Sequence, residues 1–200
     1  AAPPSPPTLV TMATVVLPED VFAPFAASKI SKKRALVASA KGHSSISPAQ
    51  YAALANAVQA DLIAFPSNEP EFDGSVKSQE KSVNGTLQFM DACRPSLKDV
   101  AAKAMLGVIQ GGAHAKLRTW STEQIRDRSP FGFVLGGLSR CSDSAAVEAA
   151  VKGSFALLPR DKLRIVAGAW NLEQTKRMVE AGADFVVSSF PMDRASAGFA

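Results

Sequence analysis

Three short stretches carry residues whose type and spacing suit a flat, polar ligand. Gln110-Gly111-Gly112 follows the apolar run MLGVI. A glutamine amide presents a donor and an acceptor in one plane, as reading a nucleobase edge requires. The two glycines let the backbone turn tightly and let a flat ligand approach it. Gly136-Gly137-Leu138-Ser139 follows a second apolar run, FGFVL, and offers bare backbone N–H and C=O groups. Ser188-Ser189-Phe190-Pro191 closes a third, which begins DFVV.

Groups for covalent or metal chemistry are sparse. His114 lies just after the glycine pair, yet no Ser, Cys or carboxylate stands with it in a nucleophile motif, so a triad has little support. His43, in KGHSS, reads as a polar loop residue before a helix, with a phosphate contact as the sharper alternative. Cys93 and Cys141 have no close-spaced partner. That pattern points to a reducing compartment, and away from both a disulfide framework and a cysteine-rich metal site. Trp120 fits a packed helix face, and Trp170 follows the run KLRIVAG, where it could block a pocket or stack on a ligand. Asn84-Gly85-Thr86 matches a glycosylation sequon that means nothing in a cytosolic chain.

The elements that must position these residues alternate regularly. Residues 9–17 (LVTMATVVL) and 35–39 (ALVAS) are apolar runs. Ser47-Pro48 gives a cap and a first-turn proline for a helix over 49–60. A buried strand over 61–65 (DLIAF) stops at Pro66, and a polar loop leads to a long helix over 75–93 that ends before Pro95. Strands over 105–110, 131–135, 162–167 and 184–188 then alternate with helices over 115–126, 143–158 and 172–181, Asp143 serving as a cap and Gly182 closing the last. Short strands that are apolar throughout, separated by helices of ten or more residues, indicate βα units on a parallel sheet covered on both sides. No GxGxxG opens a helix, so a dinucleotide-binding Rossmann domain is not supported. The expected fold is α/β, a (β/α)8 TIM-type barrel, with six or seven strands countable and the barrel incomplete at its ends. In such a barrel the strand C-termini carry the function, and all three ligand-suited stretches fall there.

With 200 residues and 46% apolar content, residues 8–200 are expected to form one domain. Residues 1–7 (AAPPSPP) read as a flexible Pro-rich lead-in, and the whole as a possible fragment of a longer protein. No basic stretch precedes an apolar run as a secretory signal needs, and no run reaches the roughly 18 apolar residues of a membrane span. The net charge of +4 permits an anionic partner without arguing for one, and Lys29–Arg34 (KISKKR) reads as an exposed loop before a strand, with a phosphate contact as the sharper alternative.

GVIQGG, GFVLGGLS, LLPRDKLRIVAG and EAGADFVVSSFP occur in the order and spacing of the tRNA-guanine transglycosylase, or queuine tRNA-ribosyltransferase, barrel. The chain resembles that family from about residue 46 to about residue 198. The resemblance makes Gln110 the purine-reading glutamine, and Gly136, Gly137 and Leu138 the remnant of the backbone pocket that holds the base. It also implies base exchange by an aspartate nucleophile at the tRNA wobble position. The carboxylates depart from the pattern. The nucleophile position, four residues before Pro191, holds Val187; the base-recognising aspartate falls near Pro66, with Glu69 and Glu71 further along; and the glutamate after GGLS is replaced by Ser142. No catalytic residue is therefore assigned.

A retained pocket with lost carboxylates resembles the family's non-catalytic accessory members, as do SVNGTLQFMDAC and DRSPFGFVLGG. That implies a heterodimer with a catalytic subunit, tRNA bound through the complex, and a cytoplasmic location. The family's zinc, held by three Cys and a His, would be bound beyond Ala200, leaving no metal or other cofactor here. Phe72 and Phe89 are candidate interface anchors, and Arg194 lies where the catalytic members carry basic residues. The competing readings are an active exchanger using Glu69, Asp184 or Asp193, and a small-molecule enzyme on an unrelated barrel.

Overall fold

The computed structural model describes residues 15–16, 30–39, 42–58, 62–100, 104–128, 130–138, 141, 143–168, 171–188 and 194–198. The expected lead-in at 1–7, most of the run at 9–17, and Ser139, Ser142, Trp170, Ser189, Phe190, Pro191 and Asp193 lie outside them.

Six strands form a parallel sheet: β1 (Val15–Val16), β5 (Leu62–Ala64), β6 (Ala104–Ile109), β7 (Gly132–Leu135), β8 (Leu163–Ala167) and β9 (Phe185–Val187). Their spatial order is their chain order, with no reversal. The connections from β5 onward run through helices α2 (Val76–Cys93), α3 (Ala115–Asp127), α4 (Ser144–Phe155) and α5 (Leu172–Glu180). A short 3-10 segment, Arg94–Val100, extends α2 past Pro95.

The two faces of the sheet differ. Ala64, Leu106, Val108, Val134, Ile165 and Ala167 form a cluster to which only strand residues contribute, with Leu62, Leu163 and Val187 at its margin. Ile63, Ile109, Phe133, Leu135 and Val166 point the other way and pack with residues of the helices. Helices on one face and a bare apolar layer on the other, with sequential strand order, are the arrangement of part of a TIM-type barrel. A full (β/α)8 barrel is not seen among the described residues, because no pairing joins β9 to β1. Among the described residues the sheet is open, and its inner face is lined by side chains rather than covered by a second helix layer.

Local chemistry sets the helix ends. Ser47 and Gln50 form a reciprocal cap on α1 (Pro48–Val58), the Gln50 N–H donating to Ser47 Oγ at 3.2 Å and the Ser47 N–H to Gln50 Oε1 at 2.8 Å. Ser75 caps α2 by accepting from Ser78 N at 3.3 Å. Asp143 accepts from Ala145 N and Ala146 N at 2.9 and 3.1 Å, and Asn171 accepts from Gln174 N at 2.8 Å. The side chain of Asp143 is thereby committed to α4.

Two features depart from the expectation. Residues 35–39 do not join the parallel sheet. β3 (Arg34–Ser39) pairs antiparallel with β2 (Ile30–Ser31) and with β4 (Gly42–Ile46), forming a separate three-stranded sheet. His43 therefore stands in a strand, opposite Ala38, rather than in a loop. GHSSI has no apolar alternation, so only its ladder with β3 makes it a strand; tertiary pairing overrides weak propensity. Lys32 and Lys33 form an exposed hairpin turn within the basic cluster.

The second departure concerns the proposed interface anchors. Phe72 is 3% and Phe89 0% exposed. Phe89 meets Tyr51 edge to face at 6.2 Å, and Phe72 joins the core under its loop. Neither ring is available to a partner. Flanking Glu71 and Asp73 make Phe72 look solvated in sequence, but the loop folds back and buries about 1.5–3 kcal/mol worth of apolar side chain.

Candidate nucleobase pocket at the strand C-termini

β6 and β7 run in register, Ile109 beside Leu135, so Gln110 and Gly136 leave the sheet side by side. The Gly136 N–H donates to Ile109 O at 3.0 Å and extends the ladder past the strand. Gly137 follows with φ +68°, a conformation that favours glycine, and open space on its α-carbon. Leu138 is fully buried in the helix-side core. The structure thus brings Gln110, Gly136 and Gly137 to one rim, with the Leu138 side chain anchored beneath.

Gln110 is 2% exposed, and its amide is engaged within the protein. Its Oε1 accepts from Thr86 Oγ1 at 2.9 Å and from Ser82 Oγ at 3.4 Å, both on α2. Its Nε2 donates to the carbonyl of Asn68, which also accepts from Ser82 Oγ. The residue pins the loop after β5 to the end of β6. A second set of bonds holds the same loop. Ala113 N donates to Phe72 O at 2.7 Å, Gln79 Nε2 to Glu71 O at 2.6 Å, and His114 Nε2 pairs with Gly74 O at 2.8 Å. His114 has a structural partner and precedes α3 without capping it through its side chain.

The pinned loop carries Glu69 to the rim. Ser67 Oγ donates to Glu69 Oε1 at 3.3 Å, and that oxygen lies where a Cβ on residue 136 would have to go. A side chain at 136 would displace the Glu69 carboxylate from this place. The carboxylate at 69 therefore sits on the glycine-rich end of β7, three residues beyond the position held by Pro66 in the sequence comparison.

The other carboxylates fall elsewhere. Asp184 lies at the N-terminal end of β9, where its Oδ2 accepts from Arg164 N at 2.8 Å. That is the rim opposite Gln110, so Asp184 has no reach to the pocket. Val187 ends β9 beside Ala167, half-buried against the inner apolar cluster. Its side chain offers neither a nucleophile nor a proton acceptor. Arg194 is exposed. Trp120 is half-buried and packs against the helix-side core.

Zinc is the metal implied by the resemblance, and the residues present do not fit it. Cys93 is buried within α2, where desolvation pushes its thiol up to about 12, and Cys141 is buried after β7. Among the described residues no three of His, Cys, Asp or Glu gather as a metal site. Among the same residues no helix is long and apolar enough to cross a membrane.

One buried group was invisible to motif reasoning. Arg118, on α3, is 3% exposed and donates from Nε to Gly112 O at 3.1 Å. Its helical spacing to Ser121, Thr122 and Ile125, which share the buried face of α3, is the signal that places it inside.

Comparison with known proteins decides the family. The queuine tRNA-ribosyltransferase family profile matches residues 14–200. The chain belongs to that family. It is 27% identical over 188 residues to the queuine tRNA-ribosyltransferase accessory subunit 2 of Gallus gallus, covering 91% of this chain and 44% of the relative. The corresponding protein of Homo sapiens is 26% identical over 181 residues, 86% of this chain and 43% of its own length. A queuine tRNA-ribosyltransferase of Cyanothece sp. is 28% identical over 140 residues, 70% of this chain and 36% of that protein. The chain spans less than half the length of each. Family membership removes the unrelated small-molecule barrel from consideration. Relatives named as accessory subunits and relatives named for the transferase itself both match.

Proposed function

We propose that this chain is the barrel portion of a non-catalytic accessory subunit, acting beside a catalytic queuine tRNA-ribosyltransferase that exchanges guanine for queuine at the tRNA wobble position. The observation that carries the reading is Val187. The residue at the nucleophile position is an aliphatic side chain facing the apolar interior of the sheet. Base exchange needs a carboxylate to displace guanine from the ribose, and a valine supplies no electron pair. Gln110, Gly136, Gly137 and Leu138 are then a pocket remnant, with Gln110 working as a loop anchor. The zinc site lies outside residues 1–200, and the working location is cytoplasmic.

In this reading the subunit acts through association: a heterodimer burying well over ~1,000 Å² holds tRNA that the chain alone holds weakly. The test is co-purification with a catalytic transglycosylase followed by sizing, then labelled-guanine incorporation into tRNA. The expected result is a stable complex, no incorporation by this chain alone, and tRNA binding by the complex that falls steeply with salt. A chain that stays monomeric beside an active transglycosylase at micromolar concentration overturns the accessory role.

A second reading is favoured by Glu69. Its carboxylate lies on Gly136 at the pocket rim, so an active exchanger with a relocated carboxylate has a candidate group in place. Incorporation by this chain alone that is abolished in E69Q would establish that reading in place of the first.

A further inference from the structure

Two adjacent residues of α2 face features that neither reading uses. Gly85 receives the β2 backbone: a β-carbon there would lie 2.7 Å from Ile30 O and 2.8 Å from Ile30 Cγ2. A glycine inside a helix costs stability, and here its bare α-carbon lets the hairpin of β2 and β3 sit directly on α2. That hairpin carries Lys32 and Lys33 in its turn and Arg34 at the start of β3, all three exposed. None of the three enters an ion pair among the described residues.

Asn84, one residue earlier, lines a groove of about 670 Å³ between α2 and α3. Val76, Leu117 and the half-buried Trp120 give it apolar surface. Glu80 and Asn84 supply polar groups from α2, and the exposed Lys116 a cation from α3. Asn84 Nδ2 donates to Glu80 O at 3.0 Å, which leaves its amide oxygen as an acceptor.

We propose that this face of α2 binds single-stranded RNA, with phosphates on the hairpin cations and Lys116 and one base stacked on Trp120 in the groove. This surface serves the tRNA-holding role proposed above, and rests on that reading, while lying outside the strand-terminal rim. Clustered cations without acidic partners fit a phosphate backbone. An aromatic face beside them fits a base, since every base has a π-face to stack. A single strand can splay a base out, whereas a duplex keeps its bases paired and stacked. A lipid surface fits less well. Ile30 is seated on α2 and Ala35 is buried, so the turn has no apolar side chain of its own to enter a membrane.

The test is a labelled oligouridylate titrated into the full chain over a series of salt concentrations, with a duplex of the same length, polyglutamate and phosphatidylserine vesicles as comparators. Saturable binding of the single strand is expected, tighter than that of any comparator. K32A/K33A/R34A should lower the slope of log affinity against log salt by about two, three lost phosphate contacts at about 0.7 each. R160A/K162A/K176A makes the same charge change near β8 and on α5, and should leave the slope as it is. W120L removes the stacking face and should weaken binding at least about fivefold with the slope kept. Circular dichroism checks each fold, and if W120L does not fold, the hairpin variant decides. No binding of the single strand, equal binding of a comparator, an unchanged slope in the hairpin variant, or full binding by folded W120L would overturn the proposal. Sizing beside a catalytic transglycosylase separates the two readings. A heterodimer that forms without oligouridylate binding by the chain sinks this surface alone, and a monomer that binds the oligouridylate sinks the accessory role alone.

Discussion

The carboxylate of Glu69 and the α-carbon of Gly136 are in direct apposition, with Oε1 lying where a β-carbon on residue 136 would project. The contact joins two segments far apart in the chain, the loop after β5 and the end of β7. A side chain at 136 and the Glu69 carboxylate in its present place exclude one another.

Gly136→Ala should therefore push the Glu69 carboxylate aside and destabilise the fold by no more than about 1 kcal/mol, the low end of overpacking. Shortening Glu69 to Ala in the same chain should recover a large part of that loss. Urea unfolding of wild type, both single variants and the double variant gives the coupling. Strict additivity would show that the two residues do not meet.

Gln110→Leu removes the amide that ties Thr86 and Ser82 on α2 to the Asn68 carbonyl. Buried groups left without partners cost about 1–3 kcal/mol, so the midpoint of unfolding should fall by that measure. Amide exchange over residues 66–74 should accelerate before the rest of the chain. Unchanged exchange in that loop would show that Gln110 does not anchor it.

Asp91 and Arg128 form a two-point ion pair at 2.8 Å between α2 and the end of α3. The hydrogen bonds from Arg128 hold the Asp91 carboxyl below its usual range. A carboxylate depressed in the folded state adds stability above its unfolded pKa and loses it as pH falls through the folded one. The pair is partly exposed, so the effect is at most about 1 kcal/mol. Asp91→Asn should lower the melting temperature near neutral pH and match wild type at acid pH, below the depressed pKa of Asp91. An equal deficit at both pH values would remove the ion pair as its cause.

Val187→Asp sets a carboxylate at the end of β9, beside Ala167 and against the inner apolar cluster. Partial burial of an unpaired polar group should destabilise by about 1–3 kcal/mol. Thermal melts at neutral and acidic pH check the sign. The variant should lose less at acid pH, where the new carboxyl is neutral, and a melt unaffected at either pH would show position 187 to be solvated.

Much of the architecture follows from local chemistry and is present in the linear chain. The caps at Ser47, Ser75, Asp143 and Asn171, the apolar strand segments FVL and IVA, and the helical spacing between them fix the βα order, because each depends on neighbours within a turn or a strand. The sequence also placed Gln110 and Gly136–Gly137 at strand ends, and that position 187 holds a valine rather than a carboxylate is legible without coordinates. Tertiary structure decided the rest. GHSSI is a strand because β3 pairs with it, and Phe72 is buried because its loop folds back, although both segments look polar. The side-chain partners of Gln110 lie more than twenty residues away, on α2 and in the loop after β5, Glu69 reaches Gly136 past the intervening strand β6, and Arg118 is buried although it is charged. Each of these outcomes depends on groups brought together from distant parts of the chain, where burial and pairing outweigh the preferences of the local segment.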